Sequence, residues 1–341
     1  MAATLPQRIL IWGAGAIGGT AGAYLKRAGH DITFVDVVAA HVEAIRTTGL
    51  MITGPVDQFT IVAPAFTPEE VEGRWDMIFL AVKAQHTETA TRALIPHLSQ
   101  DGFVLSMQNG LCETIIAPII GRDRTVGAFV NYSTDWIAPG EIMFGSRGAV
   151  VLGELHGRMT PRLAGLHAIL SAFEPNAITT DNIWGYLWGK LGYGAMLFAQ
   201  ALGAKGIADC LARPEMMPVW RAIGREVNEV TLAEGITPMG FNGYDPNAFM
   251  PNAPRELAEK AVADLVEFNR PSAKTHSGIW RDLFVRHRGT EVDVQIKPIA
   301  DIGAKHGIAT PTITKLVALI HEIEDGSRPM HDDNLLELLP Q

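Results

Sequence analysis

The chain has 341 residues, 47% of them hydrophobic, a mean hydropathy of +0.13 and a formal net charge of −9. That length favours two domains over one, with apolar content enough for large cores. The acidic balance, with scattered charges and one basic clump at 281–288, speaks against a nucleic-acid surface. Two distant cysteines, Cys112 and Cys210, suit a reducing compartment and suggest neither a disulfide framework nor a metal knot. The eleven histidines show no H-x-x-x-H or H-x-x-E-H spacing, so no metal is expected.

In chain order the first unit is an apolar run at 9–12, then Gly13-Ala14-Gly15-Ala16-Ile17-Gly18, a helical stretch, and a second apolar run at 32–36 ending in Asp36. Strand, glycine turn, helix, strand and acid is the order a dinucleotide requires. Gly13 permits the sharp exit from the strand, Gly15 keeps side-chain atoms away from a pyrophosphate, and Gly18 lets helix and sheet approach. The helix N-terminus offers N–H groups and partial positive charge to the phosphates. Asp36 suits the ribose hydroxyls and repels a 2′-phosphate. The next cation is Arg46, which favours NAD over NADP. Arg8 and the apolar stretch after it imitate a secretion signal, but the glycine spacing and Asp36 read better as a buried strand and its helix. No run reaches the length of a membrane helix, so a cytoplasmic protein is expected.

Further strands are expected at 77–82, 103–107 and 125–132. A hairpin is expected from 141–144 and 149–153, joined through 145–148. Apolar strands alternating with helices imply a parallel sheet covered on both faces, with the hairpin adding antiparallel strands at its edge. From about residue 180 helical periodicity takes over. Met217, Trp220, Ile223, Val227 and Val230 form a stripe within 214–233, and 258–268 and 291–306 read similarly. Residues 238–254, rich in Pro, Gly and Asn, read as a long surface loop that serves as a lid, a subunit contact or a mere connector. A further helix starts at Thr310-Pro311, and the tail 325–341 looks polar and loosely held. The domains are placed at 1–179 and 180–341.

Ligands sit beyond the C-terminal ends of strands in such a sheet. Lys83 follows one strand end, in Val82-Lys83-Ala84-Gln85, and Gln108-Asn109-Gly110 follows another. In the second half Lys190 stands in Trp184-Gly185-Tyr186-Leu187-Trp188-Gly189-Lys190-Leu191-Gly192-Tyr193-Gly194. Burial in such surroundings would lower its pKa toward neutrality and suit it to proton exchange; a snorkelling lysine is the alternative. Glu291 begins an apolar helix, where the helix dipole alone explains a carboxylate, or it partners Lys190 and a substrate hydroxyl. Ser277 and Arg281 could bind a substrate carboxylate, although Arg281 could equally pair with Asp282 or Glu291.

These pieces, together with Thr290-Glu291-Val292-Asp293 and His306-Gly307-Ile308-Ala309-Thr310-Pro311, resemble the ketopantoate reductase family in order over nearly the whole chain. The resemblance implies an α/β Rossmann domain with a mostly parallel sheet, then an all-α domain of the 6-phosphogluconate-dehydrogenase-like type, with the active site in the cleft between them. By position it makes Lys190 the general acid, Asn109 its neighbour beside the nicotinamide, Glu291 a partner of the substrate hydroxyl or the lysine, and Lys83 a neighbour of cofactor ribose and substrate. Ser277 matches poorly in spacing. Two departures stand out. The family commonly has Asn four residues after the lysine, here Gly194, and some members have a second Asn four residues later, here Phe198. Losing hydrogen-bonding groups reshapes a pocket and its preference.

The expectation is therefore an NAD-dependent oxidoreductase moving hydride between nicotinamide and a small hydroxy or keto acid, or a related alcohol, other than ketopantoate. The partner is an acidic small molecule, with no nucleic acid or membrane, and a homodimer is left open. The alternatives are a 2-dehydropantoate 2-reductase using NADPH and a redox sensor that binds NAD without turnover.

Overall fold

The computed structural model describes residues 8–272 and 274–340. It divides into two compact units, one ending at Ile183 and the other starting at Trp184. The first contains β1 (Arg8–Trp12), α1 (Ala16–Arg27), β2 (Asp31–Val35), α2 (Ala39–Thr47), β3 (Leu50–Thr53), β4 (Phe59–Ile61), β5 (Ala65–Phe66), β6 (Trp75–Leu80) and α3 (Thr87–Leu94). It continues with β7 (Leu98–Ser106), α4 (Glu113–Ile120), β8 (Thr125–Val130), β9 (Ser133–Ala138), β10 (Glu141–Ser146), β11 (Val150–Glu154), α5 (Pro161–Leu170) and β12 (Ile178–Thr179).

The main sheet has the order β12-β11-β8-β7-β6-β1-β2-β5. From β5 to β8 every pairing is parallel, and β11 runs antiparallel to β8. Its strands are apolar because both faces are covered: Ile11, Phe79 and Leu105 on one face and Leu10, Ile78 and Val104 on the other are all 0% exposed. The chain builds outward from β1 through β2 on one side and through β6 on the other, so the order reverses between β1 and β6.

A second sheet, β4-β3-β10-β9, was not anticipated. It explains why α1 is so rich in glycine. A Cβ on Gly22 would lie 2.5 Å from the Phe34 ring of the main sheet, and one on Gly19 would lie 2.4 Å from Ile142 of the second sheet. A helix buried on two faces needs small residues on both.

The second sheet also corrects the expected hairpin. β10 pairs with β3 and β9, whereas β11 pairs with β8 and β12. Gly145 and Ser146 extend β10, and residues 147–149 carry the chain from one sheet to the other. Each strand completes a ladder already present, which satisfies more backbone groups than pairing the two together would.

The second unit is helical: α6 (Ile183–Gln200, its first residue still in the first unit), α7 (Ile207–Leu211), α8 (Met217–Ala233), α9 (Arg255–Asn269), α10 (Gly278–Trp280), α11 (Val292–Gln295), α12 (Lys297–Lys305) and α13 (Pro311–Glu324). The α8 stripe faces inward, with Trp220, Ile223 and Val230 at 0% exposure. The helix expected over 291–306 is broken at Ile296 into α11 and α12. Pro298 is the cause: it has no N–H for the Val294 carbonyl, and its ring crowds that carbonyl.

Two expectations of loose chain are corrected. Residues 238–254 are no surface loop. Phe241, Tyr244 and Phe249 are buried, a 3₁₀ turn forms at Pro246–Phe249, and Met239 N–H donates to Gly185 O at 2.9 Å. Polar composition hid three aromatic anchors. The tail is held as well, by a 3₁₀ turn at Asp332–Leu338 that buries Leu335 and Leu338. Asn334 Nδ2 donates to Leu202 O at 3.1 Å, and the Asp332 carboxylate accepts from Ala204 N–H at 2.9 Å. Its polar side chains are hydrogen-bond partners of the body, which composition does not reveal.

Candidate active site

The glycine turn lies where the strand order reverses, the position at which such sheets bind ligands. Gly13 has φ +102°, and a Cβ there would lie 2.8 Å from the backbone of Ala81 and Val82. Gly13 thus lets the turn after β1 touch the segment after β6. A Cβ on Gly18 would lie 2.1 Å from Gly13 O. Gly15 differs: a Cβ there would meet nothing within 4 Å. Gly15 is also the N-cap of α1 and supplies no side-chain cap. An open approach to uncapped helix N–H groups fits a pyrophosphate, so the residues present fit a dinucleotide. Ala14, Ala16 and Ile17 complete the turn.

Asp36 follows β2. Its Oδ2 accepts from Ala14 N–H at 2.9 Å and its Oδ1 from Val38 N–H at 3.0 Å. Each oxygen keeps lone-pair capacity for a further donor. Val37 beside it is 78% exposed, and Arg46, the first cation beyond, pairs with Glu43.

Lys83 and Asn109 take equivalent places. Leu80 of β6 is in register with Ser106 of β7, and each candidate lies three residues beyond its member of that pair. Both are half-buried. Gln108 cross-links the two loops, its Nε2 donating to Val82 O at 3.0 Å and to Thr87 Oγ1 at 2.8 Å. Thr87 Oγ1 donates to Ala84 O at 2.7 Å, and Cys112 Sγ donates to Asn109 O at 3.2 Å. Just beyond, Glu113 is 0% exposed and neither carboxyl oxygen has a hydrogen-bond partner among the described residues. Burial pushes its pKa up to about 7.

In the second unit Lys190 lies in α6. Gly189 and Gly192 let the 238–254 segment press on this helix: a Cβ on Gly189 would lie 2.1 Å from Met239 O, and one on Gly192 would lie 2.1 Å from the Tyr244 hydroxyl. Lys190 is half-buried, and burial lowers its pKa to about 8. The Glu291 carboxylate opposes that shift and the Lys274 ammonium adds to it. Glu291 is itself buried and is the N-cap of α11. Thr290 before it is fixed by Glu324, whose Oε1 accepts from both its N–H and its hydroxyl.

The remaining candidates divide. Ser277 is buried as the N-cap of α10, its Oγ accepting from Trp280 N–H at 3.1 Å. Only its hydroxyl proton is left to meet a carboxylate. Arg281 is half-buried, and burial lowers its pKa. Asp282 is engaged by Arg286 at 3.2 Å and Arg288 at 2.8 Å. Gly194, one helical turn beyond Lys190, has open space where a Cβ would stand. Phe198, two turns beyond Lys190, is buried at 0% exposure. Among the described residues no cluster of three or more His, Cys, Asp or Glu could hold a metal, and no helix is long and apolar enough to cross a membrane.

Sequence reasoning missed His41 and Glu113. Neither stands in a motif, and the partners of His41 lie 27 and 99 residues away.

Comparison with known proteins gives a consistent result. Two family models match, "Ketopantoate reductase PanE/ApbA" over residues 9–157 and "Ketopantoate reductase PanE/ApbA C terminal" over residues 182–324. The 2-dehydropantoate 2-reductase of Archaeoglobus fulgidus is 26% identical over 321 residues, covering 94% of this chain and 99% of that protein. The solved 2-dehydropantoate 2-reductase of Geobacter metallireducens superposes with a TM-score of 0.80 at 27% identity, covering 92% of this chain and 99% of that one. D-mandelate dehydrogenase, solved with NADH and anilino(oxo)acetate, superposes with a TM-score of 0.81 at 24% identity, covering 94% and 98%. The last likeness concerns the fold alone.

Proposed function

This chain belongs to the ketopantoate reductase family of NAD(P)-dependent oxidoreductases acting on CH–OH groups, and from that premise we propose that it uses NAD to interconvert a small 2-hydroxy acid and its keto acid, with a substrate other than ketopantoate. The nicotinamide supplies the hydride acceptor or donor. In the first unit the glycine turn and Asp36 hold the dinucleotide, and Lys83 and Asn109 orient its reactive end. In the second, Lys190 handles the proton. Its ammonium protonates the ketone oxygen during reduction, and its neutral amine takes the hydroxyl proton during oxidation. Glu291 tunes that amine, and Arg281 attracts the carboxylate.

The observation that carries this reading is the placement of Lys190, half-buried in α6 where the charges of Glu291 and Lys274 both reach it and burial lowers its pKa to about 8. An acid–base group works best when its pKa lies near the working pH. For the cofactor, Asp36, followed by no Lys or Arg until Arg46, which pairs with Glu43, supports NAD. For the substrate, Gly194 offers room where the family commonly has an Asn, so the pocket loses a hydrogen bond and gains volume.

The test is a panel of 2-hydroxy acids, pantoate and mandelate among them, with NAD and with NADP, followed by NADH or NADPH absorbance. Turnover with NAD on acids other than pantoate is the expected result. Efficient turnover only with NADPH and ketopantoate would establish instead the second reading, which the names of the curated relatives favour.

A further inference from the structure

His41 lies in the first turn of α2, far from every candidate catalytic group in sequence, and is 1% exposed. Both ring nitrogens are engaged. Gly140 N–H, in the turn between β9 and β10, points at Nδ1 at 2.9 Å, and Nε2 lies 2.8 Å from Ala14 O in the glycine turn. A backbone N–H can only donate, so Nδ1 must be the acceptor. A carbonyl can only accept, so Nε2 must carry the proton. The geometry therefore selects one neutral tautomer. The Trp136 ring meets the imidazole edge-on at 6.0 Å.

The bond to Ala14 matters because of what the next peptide does. The Ala14 N–H is fixed by Asp36 Oδ2 and the Ala14 C=O by His41 Nε2. No peptide bond among the described residues is cis. In a planar trans peptide the C=O and the following N–H point in opposite directions. Fixing the Ala14 carbonyl therefore fixes the direction of the Gly15 N–H, at the turn that receives the pyrophosphate. We propose that His41 is a positioning residue for the dinucleotide: its Nε2–H holds the glycine turn in its binding conformation, and its Nδ1 anchors the ring to the second sheet. The proposal rests on the nicotinamide-cofactor reading and adds to it a residue that never touches the cofactor.

Two near-isosteric variants separate the two bonds. In His41→Gln the amide nitrogen reaches roughly where Nε2 stands, keeping a donor for Ala14 O and losing the Gly140 acceptor. In His41→Asn the amide oxygen stands roughly where Nδ1 is, keeping Gly140 and losing Ala14. NADH affinity is read by fluorescence titration, together with the KM for NAD, kcat and Tm. The expected result is an Asn variant with NADH Kd and KM for NAD raised about five- to tenfold and kcat within about twofold of wild type. The Gln variant should stay within about twofold of wild type in Kd, even if its Tm falls as far. Unchanged Kd in both variants, or equal weakening in both, overturns the proposal. Wild-type protein that binds neither NADH nor NADPH would instead overturn the cofactor reading beneath it.

Discussion

Lys190 makes the sharpest prediction because its protonation state sets the direction of catalysis. An ordinary lysine titrates at 10.5, and here burial brings the group to about 8. At pH 7 about a tenth of such amines are neutral and at pH 9 about nine tenths, whereas an unshifted lysine would be only a few per cent neutral even at pH 9. Oxidation of a hydroxy acid needs the neutral amine, so kcat/KM for oxidation should rise roughly tenfold between pH 7 and 9 and then level off. Reduction needs the ammonium and should fall over the same interval. Glu291→Gln removes the carboxylate that opposes the shift, so the inflection should move to lower pH in both directions. Lys190→Ala should lower turnover by about two to four orders of magnitude while NADH still binds. The assay is initial rate against pH in both directions, with Kd for NADH measured in parallel. An oxidation rate flat from pH 7 to 9, a Glu291→Gln profile superposable on wild type, or near-wild-type turnover of Lys190→Ala would refute the reasoning.

Three other outcomes follow from the same geometry. Gly194→Ala adds a methyl to open space in a helix and should stabilise the fold by roughly 0.5–1 kcal/mol, whereas Gly189→Ala drives a methyl into Met239 O and should destabilise it by about 2 kcal/mol or more; thermal melts of the two check it, and equal Tm values would contradict the packing described. Glu113 is buried with a pKa raised from 4.5 to about 7, so the folded state holds a proton that the unfolded state releases between those values. Its contribution is full below pH 4.5 and is lost as pH rises through 7, so Glu113→Gln should raise stability at pH 8 by about 1–3 kcal/mol with little effect at pH 4.5, as denaturant melts at both pH values would show. Asp36→Asn removes the charge and keeps an acceptor for only one of the Ala14 and Val38 N–H groups, and should raise the NADP/NAD ratio of kcat/KM about tenfold; an unchanged ratio would remove Asp36 from cofactor selection.

What could be read ahead of the structure was whatever is written in local spacing. The glycine turn is legible because each glycine answers to a neighbour within one strand–helix–strand unit, and the α8 stripe because a helix buries every third or fourth residue. The surroundings of Lys190 are legible in the same way, since aromatic and glycine neighbours on all sides leave a lysine little access to water. What stayed hidden depends on partners distant in sequence. The destination of β10 is set by β3, about ninety residues earlier, so adjacency to β11 misled. The 238–254 segment looked exposed because its prolines, glycines and asparagines outnumber Phe241, Tyr244 and Phe249, yet those three rings decide where it lies. The packing role of the glycines in the middle of α6 also depends on a distant segment. Gly189 and Gly192 are where another segment crosses, and Gly194 faces open space. His41 could not have been singled out at all, because a lone histidine says nothing until Ala14 and Gly140 are seen on either side of its ring.

The central claim is that hydride passes between the α-carbon of a hydroxy acid and NAD while Lys190 carries the proton. The most direct measurement is label transfer: incubate the enzyme with NAD and an α-deuterated hydroxy acid that the panel identifies, and read the reduced cofactor by mass spectrometry. The account predicts deuterium at C4 of the nicotinamide with wild-type protein and no detectable transfer on the same timescale with Lys190→Ala. Transfer at an equal rate without the lysine, or no transfer from any hydroxy acid to NAD by protein that binds NADH, would contradict it.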